Sequence, residues 1–308
     1  MTTLALLGPT AAGKSALALA VARRRTAAGL PTEIVAVDAF TVYRGMDIGT
    51  AKATPEERAE VPHHLVDVLE PWERVDVVAF RDRARVTIAR LRERGVTPLL
   101  VGGSGLYWRA VVDPLDFPPT EAAVRTRIEA WWGGDAYAAY AHLTELDPDA
   151  AQRIQPNNLR RIVRALEVIE LTGQRFSTYD GAWQRYDSIY DDLEVAYLEP
   201  TTALLRTRIR QRAQQMVDAG LLDEVWGLSM LPVPLSATAE QAIGYAEALA
   251  VLEGRLDHTE LAEAIDRRTW RYARRQRAWF RADPRCQPSS EPAEVVARWS
   301  PAATRRSG

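Results

Sequence analysis

The sequence predicts an α/β fold, a parallel-sheet core interrupted by a helical insertion. Over the first hundred residues short apolar runs alternate with amphipathic helical patterns, the rhythm of βαβ units. Between residues 118 and 192 the strand-like runs vanish and helical patterns dominate, after which one more strand-like run appears at Leu193–Leu198. With 308 residues, the chain has room for about two domains at roughly 150 residues each. The expected organisation is nested: core over 1–117, insertion over 118–192, core again over 193–285. The last stretch, 286–308, carries Pro, Ser and Arg with little periodicity and reads as a loose tail.

Taken in order, Leu4 to Leu7 is the first strand and Ser15 to Arg25 the first helix. Glu33 to Val37 is the second strand, Val75 to Arg94 a longer helix, and Pro98 to Val101 another strand. Each apolar run ends close to a Gly or Asp, at the carboxyl ends where open α/β sheets bind ligands. The Gly-rich polar segment from Asp38 to Thr50 reads as a site loop. The insertion should contain helices around Thr120 to Trp132, Tyr137 to Leu146 and Leu159 to Leu171. Beyond the Leu193 strand, helices are expected at Leu204 to Ala219, Leu221 to Leu228 and Leu261 to Ala282.

Composition excludes several classes. Residues are 47% hydrophobic and 26% charged, as in ordinary globular proteins. The formal charge of −2 rules out a chain that is polybasic or acidic throughout. The single cysteine, Cys286, can form no internal disulfide and fits a reducing compartment, so a cytoplasmic location is expected. No basic segment precedes the short apolar run at the N-terminus, and no apolar stretch reaches about 18 residues, so no membrane association is expected. Only Lys14 and Lys52 are lysines; every other basic residue is arginine.

The segment Gly8-Pro9-Thr10-Ala11-Ala12-Gly13-Lys14-Ser15 fits G-x-x-x-x-G-K-[ST] and lies between a strand and a helix start, where a phosphate loop must lie. Glycines let the backbone curl so that its N–H groups point at an anion, and the helix N-terminus adds partial positive charge. Lys14 can reach the outer phosphate, and Ser15 can ligate Mg2+. The expected core is thus of the P-loop-containing nucleoside triphosphate hydrolase-like type. The loop specifies a phosphorylated ligand and leaves the reaction open.

Five further segments narrow the reading. They are Asp38-Ala39-Phe40-Thr41-Val42-Tyr43 running on to Asp47-Ile48-Gly49-Thr50-Ala51-Lys52; His63-His64-Leu65-Val66-Asp67; Val101-Gly102-Gly103-Ser104-Gly105-Leu106-Tyr107; Arg153 through Pro156-Asn157-Asn158-Leu159-Arg160-Arg161 to Glu167; and Gln241-Ala242-Ile243-Gly244-Tyr245 with Tyr272 to Arg281. With the phosphate loop, this series resembles the bacterial tRNA dimethylallyltransferases, or tRNA isopentenyltransferases, over roughly residues 3 to 282. The resemblance implies transfer of a dimethylallyl group from dimethylallyl diphosphate to N6 of the adenosine 3′ of the anticodon, in tRNAs reading codons that begin with U. It also implies that the phosphate loop holds the diphosphate of the prenyl donor. The implied partners are the tRNA anticodon stem-loop and dimethylallyl diphosphate, with Mg2+ as cofactor and no obligate protein partner.

An adenine amino group is a poor nucleophile, so such a site needs a proton acceptor and strong stabilisation of the departing diphosphate. The resemblance makes Asp38 the acceptor and gives Lys14 and Thr10 catalytic positions. Diphosphate binding falls to Gly8 through Ser15 (Gly8, Pro9, Thr10, Ala11, Ala12, Gly13, Lys14, Ser15) with Arg208 and Arg212, which stand four apart on one helix face. Contacts with tRNA are implied at Asp38, Ala39, Phe40, Thr41, Ser104, Arg125, Leu159, Arg160, Arg161, Arg164, Gln241, Gly244, Arg274, Arg275, Gln276 and Arg281. The chain departs from the family's usual Asp-Ser-x-Gln-Val-Tyr at Ala39 and Thr41, and carries Ser104 for a Thr and Gln155 for a common His.

The charge of −2 hides a local excess. Between Arg267 and Arg285 eight arginines stand against Asp283, interleaved with Trp270, Tyr272, Trp279 and Phe280, a pattern suited to phosphate contact and base stacking. Adjacent histidines such as His63 and His64 project in different directions, so no metal site is expected there. Two rivals remain: an adenylate dimethylallyltransferase acting on free nucleotides, which would have little use for the insertion and the basic helix, and a small-molecule P-loop kinase.

Overall fold

The computed structural model describes residues 2–289 and 291–300. Six strands form one parallel sheet in the order β3-β2-β4-β1-β5-β6: β1 (Thr3–Leu7), β2 (Thr32–Val37), β3 (His63–His64), β4 (Thr97–Gly102), β5 (Leu193–Leu198) and β6 (Pro288–Ser289). β1 sits at the centre, with Leu4 opposite Leu99 on one side and Glu194 on the other. Alternation along β1 sends Leu4 and Leu6 to one apolar layer and Ala5 and Leu7 to the other, so the strand is buried on both faces and reads as unbroken apolar sequence.

Helix α1 (Lys14–Ala27) covers one face through Leu17, Ala18, Val21 and Ala22. Phe80, Ala84, Ile88 and Leu91, spaced four, four and three apart, bury α3 (Val77–Glu93) against the opposite layer; along the chain α2 (Pro55–Glu60) precedes it and α4 (Gly105–Val112) follows. α4 is buried nearly all round, which removes the periodicity that would have revealed it as a helix.

The described residues divide into two compact units, Pro114–Asp187 and the remainder on either side of it. The smaller unit holds α5 (Ala122–Trp132), α6 (Ala136–Leu146), α7 (Pro148–Arg153), α8 (Leu159–Thr172) and α9 (Asp180–Trp183), gathered on an apolar centre of Val124, Ile128, Leu143, Ile154, Ile162 and Val163. In the larger unit the Ile189 N–H donates to the Val112 carbonyl at 2.8 Å, closing the chain where the smaller unit departs.

The C-terminal half of the core adds α10 (Thr202–Asp218), α11 (Leu221–Ser229), α12 (Ala237–Glu240), α13 (Tyr245–Leu252) and α14 (Leu261–Ala282). The expectation of a loose tail from 286 is corrected by α15 (Pro292–Trp299), whose Val295, Val296 and Trp299 are buried in the layer shared with α1. Residues 290 and 301–308 of that expected tail lie outside the described residues. Arg25 donates to the Trp299 carbonyl at 2.6 Å, and Trp299 Nε1 donates to Glu194 at 3.1 Å. Three apolar residues on one short helix face sufficed for docking, a signal hidden by the Pro and Ser around it. No helix among the described residues is long and apolar enough to cross a membrane.

Candidate active site

Because the strands are parallel, their carboxyl ends share one edge of the sheet, and β1, β2 and β4 each deliver a segment from that edge to a cavity of about 180 Å³. β1 leads into the phosphate loop. The Ala12 N–H and Lys14 Nζ both donate to the Pro9 carbonyl, at 3.2 and 2.8 Å, and Ala11 and Gly13 adopt left-handed φ of 60° and 95°, which curls the loop. Gly8 is demanded by close approach, since a Cβ there would lie 2.7 Å from the Leu198 carbonyl oxygen.

Thr10, Lys14 and Ser15 line the cavity. Burial, reinforced by the nearby Arg212 cation, pushes the Lys14 ammonium down to about 8, against the pull of the Asp38 carboxylate. Arg208 Nη1 donates to the Ala12 carbonyl at 3.1 Å, bracing the loop from α10, while Arg212, one turn on, lines the cavity itself. Desolvation lowers the Arg212 pKa and Asp38 opposes that shift. The pair expected to act alike is therefore divided in its work.

Asp38 follows β2. Its Oδ1 accepts from the Phe40 N–H at 2.8 Å and the Thr41 N–H at 3.4 Å, an Asx turn that holds the carboxylate while no described residue engages Oδ2. Ala39 and Phe40 pack partly into the core. Thr41 Oγ1 is buried without a hydrogen-bond partner, although Thr41 lines the cavity. Ser104 caps α4 without a side-chain cap bond.

Gln276 of α14, expected among the tRNA contacts, is buried and bonded through both ends of its amide. Its Oε1 accepts from the Thr10 N–H at 2.9 Å and its Nε2 donates to the Gly103 carbonyl at 2.7 Å, joining the phosphate loop to the β4 turn. Gly103 has no room for a side chain, because a Cβ would stand 2.5 Å from Gln276 Nε2.

The segment from Gln241 to Tyr245 divides as well. Gln241 is exposed, while Gly244 is buried with Leu221 3.3 Å from where a Cβ would be. The Tyr245 hydroxyl donates to Glu224 Oε1 at 2.5 Å, and Glu224 Oε2 accepts from the Asp47 and Ile48 N–H groups, each at 3.0 Å. Tyr245 thus braces the site loop through Glu224, a support that no local sequence signal announced.

The basic helix α14 is less free than its sequence suggested. Arg277 and Arg281 pair with the partly buried Glu199 at 2.7 and 2.6 Å, Arg267 with Glu263 at 2.6 Å, Arg268 with Glu247 at 2.9 Å, and Arg285 with Asp113 and Asp283 at 2.6 and 2.7 Å. Arg271, Arg274 and Arg275 are exposed and carry no ion pair among the described residues. Arg275 lies over the Tyr272 ring at 5.8 Å.

Within the smaller unit, Arg125 and Arg164 both reach the buried Glu167 at 2.8 Å. Burial alone would raise the Glu167 pKa, yet these arginines, the Glu121 N–H and the Thr120 hydroxyl bring it down to about 2. Leu159 packs against that unit's apolar centre. Arg125, Arg164 and Leu159 are thus occupied inside the unit, whereas Arg160 and Arg161 are exposed.

His63 and His64 bond separately, to the Val61 carbonyl at 2.7 Å and to Glu33 at 2.6 Å. A hard cation such as Mg2+ takes oxygen ligands and keeps several waters and phosphate oxygens, so it needs few from the protein. The Ser15 hydroxyl on the cavity wall suits it, with the Asp38 carboxylate on the same cavity.

A family model described as IPP transferase matches residues 41–283. The chain belongs to the IPP transferase family. Among its relatives, a tRNA dimethylallyltransferase of Thermobifida fusca is 47% identical over 285 residues, 92% of this chain and 88% of the relative. Another, tRNA dimethylallyltransferase 1 of Trichlorobacter lovleyi, is 42% identical over 306 residues, 98% of this chain and 97% of the relative. The full-length tRNA isopentenylpyrophosphate transferase from Bacillus halodurans superposes with a TM-score of 0.68 at 36% identity, over 96% of this chain and 94% of that one. A eukaryotic dimethylallyltransferase acting on tRNA reaches 0.73 at 25% identity, over 91% and 69%. These IPP transferase neighbours share the P-loop NTPase-like α/β core.

Proposed function

We propose that this enzyme transfers the dimethylallyl group of dimethylallyl diphosphate to N6 of the adenosine 3′ of the anticodon, in tRNAs that read codons beginning with U. It is a tRNA dimethylallyltransferase by its family and relatives; the position and the codon class come from the resemblance of its motifs to that family. The observation that carries the reading is one cavity lined both by the phosphate loop with Arg212 and by Asp38 with an uncommitted oxygen. The same lining includes Ile209, Ala213, Met216, Ile243 and Ile265, an apolar wall suited to a five-carbon chain.

In the transfer, N6 of adenine attacks C1 of the donor, the C1–O bond breaks, and diphosphate leaves with the bonding pair. The N6 proton passes to Asp38, held ready by its Asx turn. Lys14, Arg212 and the loop N–H groups stabilise the charge that gathers on the departing diphosphate. Mg2+, held by Ser15, would neutralise further charge on the phosphates when bound. Thr41, with its buried and unpaired hydroxyl, offers a hydrogen bond to a base that enters the cavity.

The target base must leave its stack to reach such a site, and single-stranded loops permit this. Arg271, Arg274 and Arg275 in the core unit and Arg160 and Arg161 in the smaller unit are the exposed cations proposed to meet tRNA phosphates. A tRNA substrate places the reaction in the cytoplasm. The test is incubation with dimethylallyl diphosphate, Mg2+ and either unmodified tRNA or AMP. Prenylated tRNA is expected, and prenylation of AMP alone would overturn the reading in favour of a free-nucleotide transferase.

A further inference from the structure

Lys52 has no place in the phosphate chemistry above, yet its side chain is only 2% exposed. Its Nζ donates to the Tyr43 carbonyl, to Asp47 Oδ1 at 2.7 Å and to Asp67 Oδ1 at 2.5 Å, so all three of its donors are used. Asp67 is shared with Arg58 through its other oxygen, at 2.5 Å. The Asp67 N–H donates to the Thr41 carbonyl at 3.2 Å, and the Thr41 N–H completes the Asx turn on Asp38. Both Ala51 and Asp67 adopt left-handed φ, 46° and 54°, without being glycine, a conformation that persists only where surrounding bonds enforce it.

We infer that Lys52 is a positioning residue for prenyl transfer: its buried ammonium locks Asp67 against Thr41 and thereby holds the Asp38 carboxylate in the cavity. The inference rests on the transferase reading above. A buried lysine serving stability alone would tie the loop to the body of the protein at any convenient point. Here the bonds run without interruption from Nζ through Asp67 and Thr41 to the group proposed to take the N6 proton. Displacement of a reacting group by about 1 Å can lower turnover about 100-fold, so a loop released at Lys52 should lose rate before it loses its ligands.

The test compares wild type, Lys52→Met, Lys52→Gln and Asp67→Asn for kcat on unmodified tRNA, for donor Kd in the absence of tRNA, and for melting temperature. At a temperature where every variant is folded, Lys52→Met and Asp67→Asn should lower kcat about 10- to 100-fold. Donor Kd should stay within about threefold of wild type, because the phosphate loop is untouched. Lys52→Gln, which keeps two donors, should recover part of the rate. Folded variants with wild-type kcat, or with kcat and donor affinity falling in parallel, would show that Lys52 supports the fold and does not position Asp38. A wild type that prenylates no tRNA would overturn the transferase reading and this inference with it.

Discussion

The Thr10 N–H of the phosphate loop donates to Gln276 Oε1 at 2.9 Å, across 266 residues of chain. Nε2 of the same glutamine donates to the Gly103 carbonyl at 2.7 Å, so one side chain of the basic helix sets the spacing between two cavity walls. Gln276→Leu should leave a part-buried N–H and a buried carbonyl unpaired, costing about 2 kcal/mol of stability. Donor Kd should rise about tenfold as the loop loosens, with tRNA affinity at fixed salt unchanged. Isothermal titration with dimethylallyl diphosphate and filter binding of tRNA separate this clamp from a direct RNA contact, which would weaken tRNA binding instead.

Asp38→Asn retains the oxygen that accepts from Phe40 and Thr41 but removes the proton acceptor. Turnover should fall by about 100- to 10,000-fold while donor and tRNA affinities hold. Single-turnover assays with radiolabelled donor measure it, and near-normal turnover would exclude Asp38 from proton transfer.

Lys14 titrates near 8 in the free protein because burial and Arg212 disfavour its charged form more than Asp38 favours it. A bound diphosphate favours the ammonium and raises that pKa. The sign follows: donor affinity is full below pH 8 and declines as pH rises through it, and binding near pH 8.5 takes up protons. Calorimetry in two buffers of different ionisation enthalpy should detect the uptake, and Lys14→Met should abolish it.

Arg271, Arg274 and Arg275 are the cations of α14 left open to solvent without an ion pair among the described residues. Changing all three to Gln should reduce the slope of log K for tRNA against log salt by about two to three. Arg277→Gln with Arg281→Gln should instead lower the melting temperature, because it strands the partly buried Glu199 carboxylate without either cation. A salt slope that responds only to the second pair would reverse the assignment.

Much of the core was legible because it is local. The curl of Gly8 to Ser15 is written in glycine positions, and β1, β2, β4 and β5 are short apolar runs whose character follows from burial on both faces. Elements that depend on a distant partner were not legible. β3 is two residues made into a strand by Ile34 and Val35, α4 is too evenly apolar to show a period, and α15 is recognisable only against α1.

By itself, then, the sequence determined a parallel-sheet core, its phosphate loop, an acidic residue at the end of the second strand and the family these belong to. Which charges are free and which are spent was decided by tertiary structure alone. Arg125 and Arg164 go to Glu167, Arg277 and Arg281 to Glu199, Lys52 to Asp67 and Gln276 to the phosphate loop. The reason is physical: a backbone conformation is set by neighbours along the chain, whereas an ion pair or a buried amide is set by whatever the fold brings within about 3 Å, and sequence spacing carries no record of that meeting.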